Sequence, residues 1–289
     1  MARHPPPPAL SQTPLAPGLY LVATPIGNLR DITLRALDVL AGADLVLCED
    51  TRVTGKLLSI YGISNRLERY DEHAAARVRP KALAALAAGG RLALASDAGT
   101  PLISDPGYRL VRAAAEQGGA IFPIPGPSAA LAGLSVAGLP TDRFLFAGFP
   151  PPKSAGRRTL FAELAGAKAT LIFFESGPRL AASLADMAAV FGPREAAVAR
   201  ELTKLHETTL RGPLDALAAD ERLAAPKGEL VVLVAGGAER AATPDEADAA
   251  LSEALRRVGP AEAASEVAKA LGLPRRELYA RALALKGRA

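Results

Sequence analysis

The 289-residue chain is long enough for two domains of ordinary size, and its hydrophobic fraction of 49% is typical of a globular protein. Its apolar runs are far shorter than the roughly 20 residues of a membrane span, while one cysteine and three scattered histidines exclude a disulfide framework and a metal-ligand cluster. The net charge is only +4, but the last 39 residues hold eight Lys/Arg against four Glu, an asymmetry consistent with a polyanionic partner.

The N-terminal half of the chain alternates between short apolar runs and helical segments. Residues 1–17 contain a proline run and no apolar core of the signal-peptide kind, which predicts a mobile tail and a cytoplasmic protein. The alternation that follows predicts parallel βαβ units in a first α/β domain over residues 18–126. Its predicted strands are Leu19 to Ala23, Asp44 to Cys48, Arg91 to Ala95 and Ala120 to Ile124, and its predicted helices are Ile32 to Ala41, Lys81 to Ala88 and Tyr108 to Gln117.

After a bridge rich in glycine and proline, the alternation resumes and predicts a second α/β domain over residues 127–240. Its predicted strands are Arg143 to Phe146, Thr170 to Phe174, Glu195 to Arg200 and Glu229 to Ala235, with helices at Arg157 to Leu164 and Arg179 to Phe191. The strand signal then disappears. Three helical pieces, Asp245 to Arg257, Pro260 to Leu271 and Pro274 to Lys286, predict a helical module over residues 241–289 with the outline of a helix-turn-helix, which ordinary helical hairpins share.

Three strands of the first domain end in loops of glycine, proline and small hydroxyl residues: Thr24 to Asn28, Ser96 to Pro101 and Pro125 to Ala129. The carboxyl ends of parallel strands gather at one sheet edge, where ligands bind, and glycine lets the backbone approach a ligand closely. Three such loops on one edge favour a ligand site over simple tight turns. Neither a G-x-G-x-x-G fingerprint nor a G-x-x-x-x-G-K-[ST] loop is present, which disfavours NAD and ATP.

These loops, and above all the twelve-residue run SDAGTPLISDPG from Ser96 to Gly107, resemble the cofactor motifs of the tetrapyrrole (corrin/porphyrin) methylase superfamily. Three further segments are similar to one branch of it, the ribosomal small subunit methyltransferase I family. They are the Glu-Asp-Thr-Arg run from Glu49, the Gly-Phe-Pro-Pro run from Gly148, and the segment Arg200 to Glu207. The resemblance runs from about Leu19 to the C-terminus. It departs at Gly177-Pro178, where the branch often has a histidine before the arginine, so no role is carried over to that position.

The resemblance implies two α/β domains with S-adenosyl-L-methionine in the cleft between them, usually in a homodimer. It also implies methylation of the ribose 2′-oxygen of a decoding-region cytidine of 16S ribosomal RNA (rRNA), with the 30S subunit as the expected context. Asp97 is suited to hydrogen bond a polar group of the cofactor, with helix capping as the alternative. The residues expected to contact the cofactor are Pro25, Ile26, Gly27, Asp97, Ala98, Gly99, Thr100, Ser128 and Ala129.

Methyl transfer to a hydroxyl requires an in-line approach and removal of one proton. The charged residues near predicted strand ends that are candidates for this step are Glu49, Asp50, Arg52, Glu175, Glu201, Lys204, His206 and Glu207. We expect Glu49, Asp50, Arg52 and Lys204 to be catalytic, although the sequence does not identify the base. A charged run such as Arg200 to Glu207 is also typical of a salt-bridged surface segment.

The cations expected to hold RNA phosphates are Arg52, Lys153, Arg157, Arg158, Arg200, Lys204, Arg275 and Arg276. With aromatic residues at only 4%, we expect shape and phosphate contacts to dominate over base stacking. Two alternatives remain open. One is a methyltransferase acting on a porphyrin-like small molecule, which would not need the basic C-terminal helices. The other is a non-catalytic RNA-binding protein, which would not need intact glycine-rich loops.

Overall fold

A computed structural model describes residues 9–11, 13–237, 244–271 and 273–286. By their contacts, the residues form two compact units: one contains both β-sheets, up to residue 165 and from 169 to 235, and the other contains residues 166–168 with the chain from 236 onward. The predicted boundary at 240/241 lies outside the described residues, as does Gly272 of the predicted helix-turn-helix. No helix in the described ranges is long and apolar enough to span a membrane.

The first sheet is entirely parallel, as the alternating pattern predicts, with strand order β3-β2-β4-β1-β5. Its strands are β1 (Gly18–Val22), β2 (Leu45–Cys48), β3 (Leu67–Arg69), β4 (Arg91–Ala95) and β5 (Ile121–Ile124). Its helices are α1 (Leu34–Gly42), α2 (Thr51–Ile60), α3 (Ala75–Ala87) and α4 (Tyr108–Glu116). The short strand β3 and helix α2 were not predicted.

Helices cover both faces of this sheet. Successive side chains of each strand point to opposite faces, so that each strand packs against helices on both sides. In β1, Leu19 packs with residues of α3 and α4, whereas Tyr20 and Val22 pack with residues of α1 and α2. Within the predicted N-terminal tail, Leu10 and Leu15 also pack against the second of these clusters. The first eight residues of that tail lie outside the described residues.

Helix α3 begins six residues before the predicted Lys81 start and contains Pro80. Proline usually ends a helix, which is why the pattern placed the start after it. The start of α3 is instead fixed by Asp71, whose Oδ1 accepts a hydrogen bond of 2.8 Å from the Ala74 backbone N–H.

The second sheet has strand order β6-β7-β10-β8-β9, and only its β6–β7 pair is parallel. Its strands are β6 (Phe144–Gly148), β7 (Thr170–Ser176), β8 (Glu195–Arg200), β9 (Thr208–Pro213) and β10 (Glu229–Val234). Its helices are α5 (Ala129–Ala137), α6 (Ser154–Leu164), α7 (Gly177–Phe191) and α8 (Leu214–Ala218). The alternation of strands and helices in the sequence therefore does not produce an all-parallel sheet in this half. Strand β10 runs antiparallel to both of its neighbours, β7 and β8. Strands β8 and β9 also pair antiparallel, because the seven residues that connect them are too few for a parallel crossover.

Helix α5 lies where the sequence predicted only a glycine- and proline-rich bridge. Ser128 precedes it as its N-cap, and its small residues let it approach the sheet closely: a Cβ on Gly133 would lie 3.0 Å from Val231 Cγ1 of β10. On the opposite face, the ring of Phe173 in β7 packs edge-to-face against Phe161 of α6, with centroids 5.4 Å apart. The second sheet thus has helices on both faces.

The C-terminal helices are α9 (Pro244–Leu255), α10 (Pro260–Leu271) and α11 (Arg275–Lys286). They pack around a core of alanine, leucine and valine side chains that includes Leu251, Val267 and Leu278. This confirms the predicted helical module.

Candidate functional site

The three small-residue loops meet at one edge of the first sheet, because β4, β1 and β5 are adjacent and parallel. Thr24 and Gly99 exchange reciprocal backbone hydrogen bonds of 2.9 Å, and Thr100 Oγ1 donates to the Pro127 carbonyl at 3.1 Å. The convergence of these loops, expected from the sequence, is confirmed.

Beside these loops lies a cavity of about 330 Å³, within the size range of small-molecule sites. Of the residues expected to contact a cofactor, Ile26, Asp97, Ala98 and Ala129 line it. The remaining lining comes from the run after Thr100, the end of β6, the end of β7, the loop after β8 and the start of β10: Ile103, Ser104, Asp105, Phe149, Phe174, Glu175, Ser176, Leu202, Gly228, Glu229, Leu230 and Val231. Both sheets therefore build the cavity.

Four of the other expected cofactor residues shape the loops. Gly99 has φ +84° and lies under Ile26, so that an added Cβ would be 3.3 Å from Ile26 Cγ2. Gly27 lies under the Lys204 side chain, where an added Cβ would approach Cγ to 2.5 Å. Thr100 joins two loops, and Ser128 caps α5 through a long contact of 3.5 Å with the Leu131 N–H. Pro25, the fifth, is half-buried between the bridging Thr24 and Ile26.

Two loops at the cavity hold strained backbone. Among the described residues, the four non-glycine residues with positive φ are Leu102, Ser104, Glu201 and Thr203, at 74°, 64°, 51° and 68°. Each pair flanks a cavity-lining residue, Ile103 or Leu202. Such conformations persist only where surrounding structure fixes them, and they concentrate at functional sites.

Three carboxyl groups cluster at the ends of β2 and β4. Asp97 accepts a hydrogen bond from the Asp50 backbone N–H at 3.1 Å, and Asp105 accepts a short one from the Ser96 hydroxyl. Burial raises the pKa of Glu49, Asp97 and Asp105, and the neighbouring carboxylates raise the pKa of Glu49 further. Asp105 lines the main cavity and also a small one that it shares with Glu49 and Tyr70.

Asp50 has a different environment from its neighbour Glu49. It is the N-cap of α2, accepting from the Arg52 N–H at 2.8 Å, and its carboxylate forms a two-pronged ion pair with the Arg52 guanidinium. These hydrogen bonds lower the pKa of Asp50 to about 2. A carboxylate with so low a pKa is a weak proton acceptor at neutral pH, which favours Glu49 over Asp50 for the proton step.

Lys204 forms an ion pair with Glu229, a residue that lines the cavity. Its Nζ is 3.0 Å from Glu201 Oε1 and 2.7 Å from Glu229 Oε2, and its stem lies over Gly27. The Lys204 hydrogen bond is the first cause of the lowered pKa of Glu201. Within the same loop, which follows β8, the Glu207 carboxylate accepts a hydrogen bond of 2.6 Å from the Thr203 backbone N–H. The His206 side chain is exposed. Lys204 therefore joins the loop after β8 to the loop after β1.

The predicted phosphate-binding cations differ in their availability. The expectation that Arg157 binds a phosphate is wrong, because its side chain is buried and already paired. Arg157 is 5% exposed, its guanidinium lies 2.7 Å from the Asp186 carboxylate, and it also donates a hydrogen bond to the Pro152 carbonyl. It stabilises the α6–α7 packing and is inaccessible to RNA. Arg158 and Lys153 are exposed, Arg158 with a 3.2 Å contact to Asp186, and Arg200 Nε donates to the Lys227 carbonyl at 2.6 Å.

Glu175 and the segment that departs from the branch pattern are structural. The Glu175 side chain is buried and accepts from the Ser183 hydroxyl and from the Ser176 N–H. Arg179 pairs with Glu175 at 3.3 Å and donates to the carbonyls of Pro150 and Pro151, fixing the loop that carries Phe149. Glu175 is therefore an unsuitable candidate for the proton step.

The sequence did not single out the aromatic wall of the cavity. The rings of Phe149 and Phe174 pack edge-to-face with centroids 5.5 Å apart. Phe174 lies in a predicted buried strand and Phe149 in a predicted loop, so only their position at the carboxyl ends of neighbouring strands β7 and β6 would have linked them. Among the described residues, no group of three or more His, Cys, Asp and Glu side chains is arranged to hold a metal ion.

The same architecture occurs in solved methyltransferase structures. The structure of the methyltransferase CobJ matches with a TM-score of 0.56 and 20% identity, over 76% of this chain and 95% of that one. A uroporphyrin-III-C-methyltransferase from Thermus thermophilus matches with a TM-score of 0.53 and 21% identity, over 76% and 94%. Residues 18–218 match the family model of tetrapyrrole (corrin/porphyrin) methylases. Fold and site thus define a methylase of the tetrapyrrole class.

More similar relatives narrow this class. Residues 241–286 match the model of the RsmI C-terminal HTH domain. A "Ribosomal RNA small subunit methyltransferase I" of Mesorhizobium japonicum is 54% identical over 94% of each chain, and that of Escherichia coli O157:H7 is 46% identical over 93% of this chain and 96% of its own. The chain belongs to the ribosomal RNA small subunit methyltransferase I family of tetrapyrrole methylases.

Proposed function

We propose that this protein transfers a methyl group from S-adenosyl-L-methionine to the ribose 2′-hydroxyl of a cytidine in the decoding region of 16S rRNA, within the 30S subunit. The observation that carries the proposal is the cavity at the loop edge of the first sheet, where carboxylates face apolar and aromatic side chains. The names of the relatives support ribosomal RNA of the small subunit as the substrate.

The cavity residues fit the proposed cofactor chemically. S-adenosyl-L-methionine has a sulfonium and an ammonium charge and an aromatic adenine. Asp97, Asp105 and Glu229 offer carboxylates for the cations. The apolar side chains of Ile26, Phe149 and Phe174 offer surfaces for the adenine and the methionine chain. When bound, the cofactor supplies a methyl group made electrophilic by the sulfonium charge.

The protein's own part in the chemistry is to position the ribose and to accept one proton. Glu49 is the proposed acceptor for two reasons. It shares a small cavity with Asp105, which also lines the main cavity, and burial and the carboxylates around it raise its pKa above the ordinary glutamate value, which makes it a better proton acceptor than Asp50. Asp50 holds Arg52 beside it, and the Arg52 side chain is 89% exposed and available to the phosphate next to the reacting ribose. Asp50 is thus proposed to position Arg52.

Lys153, Arg158 and Arg200 are proposed to contact further phosphates near the cavity, and Arg275 and Arg276 to contact RNA from the helical module. We also propose a homodimer, supported by the edge strand β6, which exposes Phe144 and Leu145 at 46% and 37%. Sedimentation of the purified chain would show a monomer if this is wrong. A substrate in the 30S subunit places the protein in the cytoplasm.

The proposed function is tested by incubating the protein with labelled S-adenosyl-L-methionine and 30S subunits from a strain that lacks this methylation. We expect label in 16S rRNA, mapped by mass spectrometry to a 2′-O-methylcytidine of the decoding region. Label on a tetrapyrrole and none on 30S subunits would instead identify a small-molecule methyltransferase. Absence of calorimetric binding of the cofactor would contradict a methyl-transfer role altogether.

A further inference from the structure

The helical module has a concave site at the start of its last helix. Arg275, Arg276 and Tyr279 of α11 and Ala261 of α10 line a concavity of about 440 Å³. Leu278 and Ala282 of α11 are directed into the core of the module, which leaves the opposite face of the helix exposed. The concavity thus belongs to the surface face of α11.

Of the five arginines that the structure describes in this module, three are paired with neighbouring carboxylates. Arg256 pairs with Glu253 at 3.0 Å, Arg257 with Glu266 at 2.8 Å, and Arg281 with Asp248 at 2.8 Å. The Arg275 and Arg276 side chains, in contrast, form no hydrogen bond or ion pair with any residue that the structure describes. The uncompensated arginine charge is therefore concentrated at the concavity.

Tyr279 adds a second kind of chemistry to this charge. It is 43% exposed, so that its ring is open to solvent beside the two arginines that line the same concavity. An exposed aromatic ring offers a flat surface on which any nucleobase stacks, and guanidinium groups bind the phosphates on either side of that base. A base-paired stem offers phosphates but keeps its base faces covered.

We propose that this concavity binds an unpaired nucleotide of the RNA substrate, with its base stacked on Tyr279 and its flanking phosphates held by Arg275 and Arg276. The inference rests on the proposed function, which requires an RNA substrate, and it adds single-stranded recognition to it. It adds one stacking contact to the phosphate contacts that we expect to dominate in a chain with 4% aromatic residues.

The test compares full-length variants by fluorescence anisotropy, using a labelled unpaired RNA oligonucleotide and the same strand in a duplex. Tyr279→Ala should weaken binding of the unpaired strand roughly 5- to 100-fold, the range for one lost stacking contact, and leave duplex binding unchanged. Tyr279→Phe keeps the ring and should bind like the wild type. The double variant Arg275→Ala/Arg276→Ala should weaken both RNAs and reduce the salt dependence of affinity by about one phosphate contact or more.

Arg256→Ala is the matched control, because it removes an exposed arginine that is already paired, and it should leave both affinities unchanged. Equal binding of the unpaired strand by Tyr279→Ala and the wild type would overturn the proposal. So would an equal loss for strand and duplex in a variant with wild-type thermal unfolding. Methyl transfer by the wild type to 30S subunits is measured in parallel. If it occurs while Tyr279→Ala binds normally, only the stacking site is wrong, whereas a wild type that neither binds RNA nor transfers methyl refutes the proposed function itself.

Discussion

The two sheets contribute different chemistry to the same cavity. The first sheet contributes loop backbone and carboxyl groups such as that of Asp97, which follows shortly after β4. The second contributes aromatic rings and Glu229, whose carboxylate lies 2.7 Å from Lys204, a partner distant in sequence. The candidate residues of the first sheet are therefore visible in the sequence. In the second sheet the sequence does not distinguish a charged residue that is open to a ligand from one that is buried in an ion pair.

Arg157 and Arg158 of helix α6, which packs on the second sheet, give the largest expected difference in stability between two neighbouring residues. Arg157→Ala should lower the free energy of unfolding by about 3–5 kcal/mol, because it leaves Asp186 buried without its main partner. Arg158→Ala is the control, since its side chain is 55% exposed, and it should cost about 1 kcal/mol or less. Urea unfolding of both variants measures the difference. Equal losses would mean that Arg157 is not the residue that fixes α6 to α7.

Glu49 and Asp50 provide the corresponding test in the first sheet. A general base accepts a proton only when it is ionised, so single-turnover methyl transfer should rise with pH through the raised pKa of Glu49 and level off above it. Glu49→Gln should lower the rate roughly 100-fold and abolish that rise. Asp50→Asn should have a smaller effect and retain the pH profile, because the pKa of Asp50 is about 2. A normal profile in Glu49→Gln would assign the proton to another group.

Gly99 tests whether the loop edge of the first sheet is the cofactor site. Gly99→Val crowds Ile26 at the cavity wall and should weaken calorimetric binding of S-adenosyl-L-methionine roughly 5- to 100-fold, the range for overpacking a rigid site. Gly89 has the same φ of +84° with nothing within 4 Å of an added Cβ, so Gly89→Val carries the backbone strain without the crowding. Indistinguishable affinities in the two variants would remove the loop from the binding site.

Lys204 gives the smallest expected effect and tests the link between the two sheets. Lys204→Ala should lower turnover about tenfold, because it uncovers Gly27 and leaves Glu201 and Glu229 without their shared cation. Lys204→Met keeps the stem over Gly27 without the charge and should fall between wild type and Lys204→Ala. Wild-type turnover in both variants would mean that Lys204 forms only surface salt bridges with Glu201 and Glu229 and has no part in turnover.

The sequence by itself determined the parallel first sheet, the strand ends that carry the site, and the three C-terminal helices. These features depend on local periodicity and on residues that are consecutive in the chain, such as the run from Ser96 to Gly107. The sequence also specified the family, because the twelve residues from Ser96 to Gly107 form a specific motif in a fixed order.

Only the tertiary structure decided the rest. Antiparallel pairing of β10 between β7 and β8, helix α5, and the aromatic wall of Phe149 and Phe174 all depend on contacts between distant segments. Likewise, Arg157 and Arg275 have the same side chain, yet one is buried against Asp186 and the other is exposed, with no side-chain partner in the part of the chain that the structure describes. The sequence lists charges, but burial and pairing, which determine whether a charge can meet a ligand, are set by the fold.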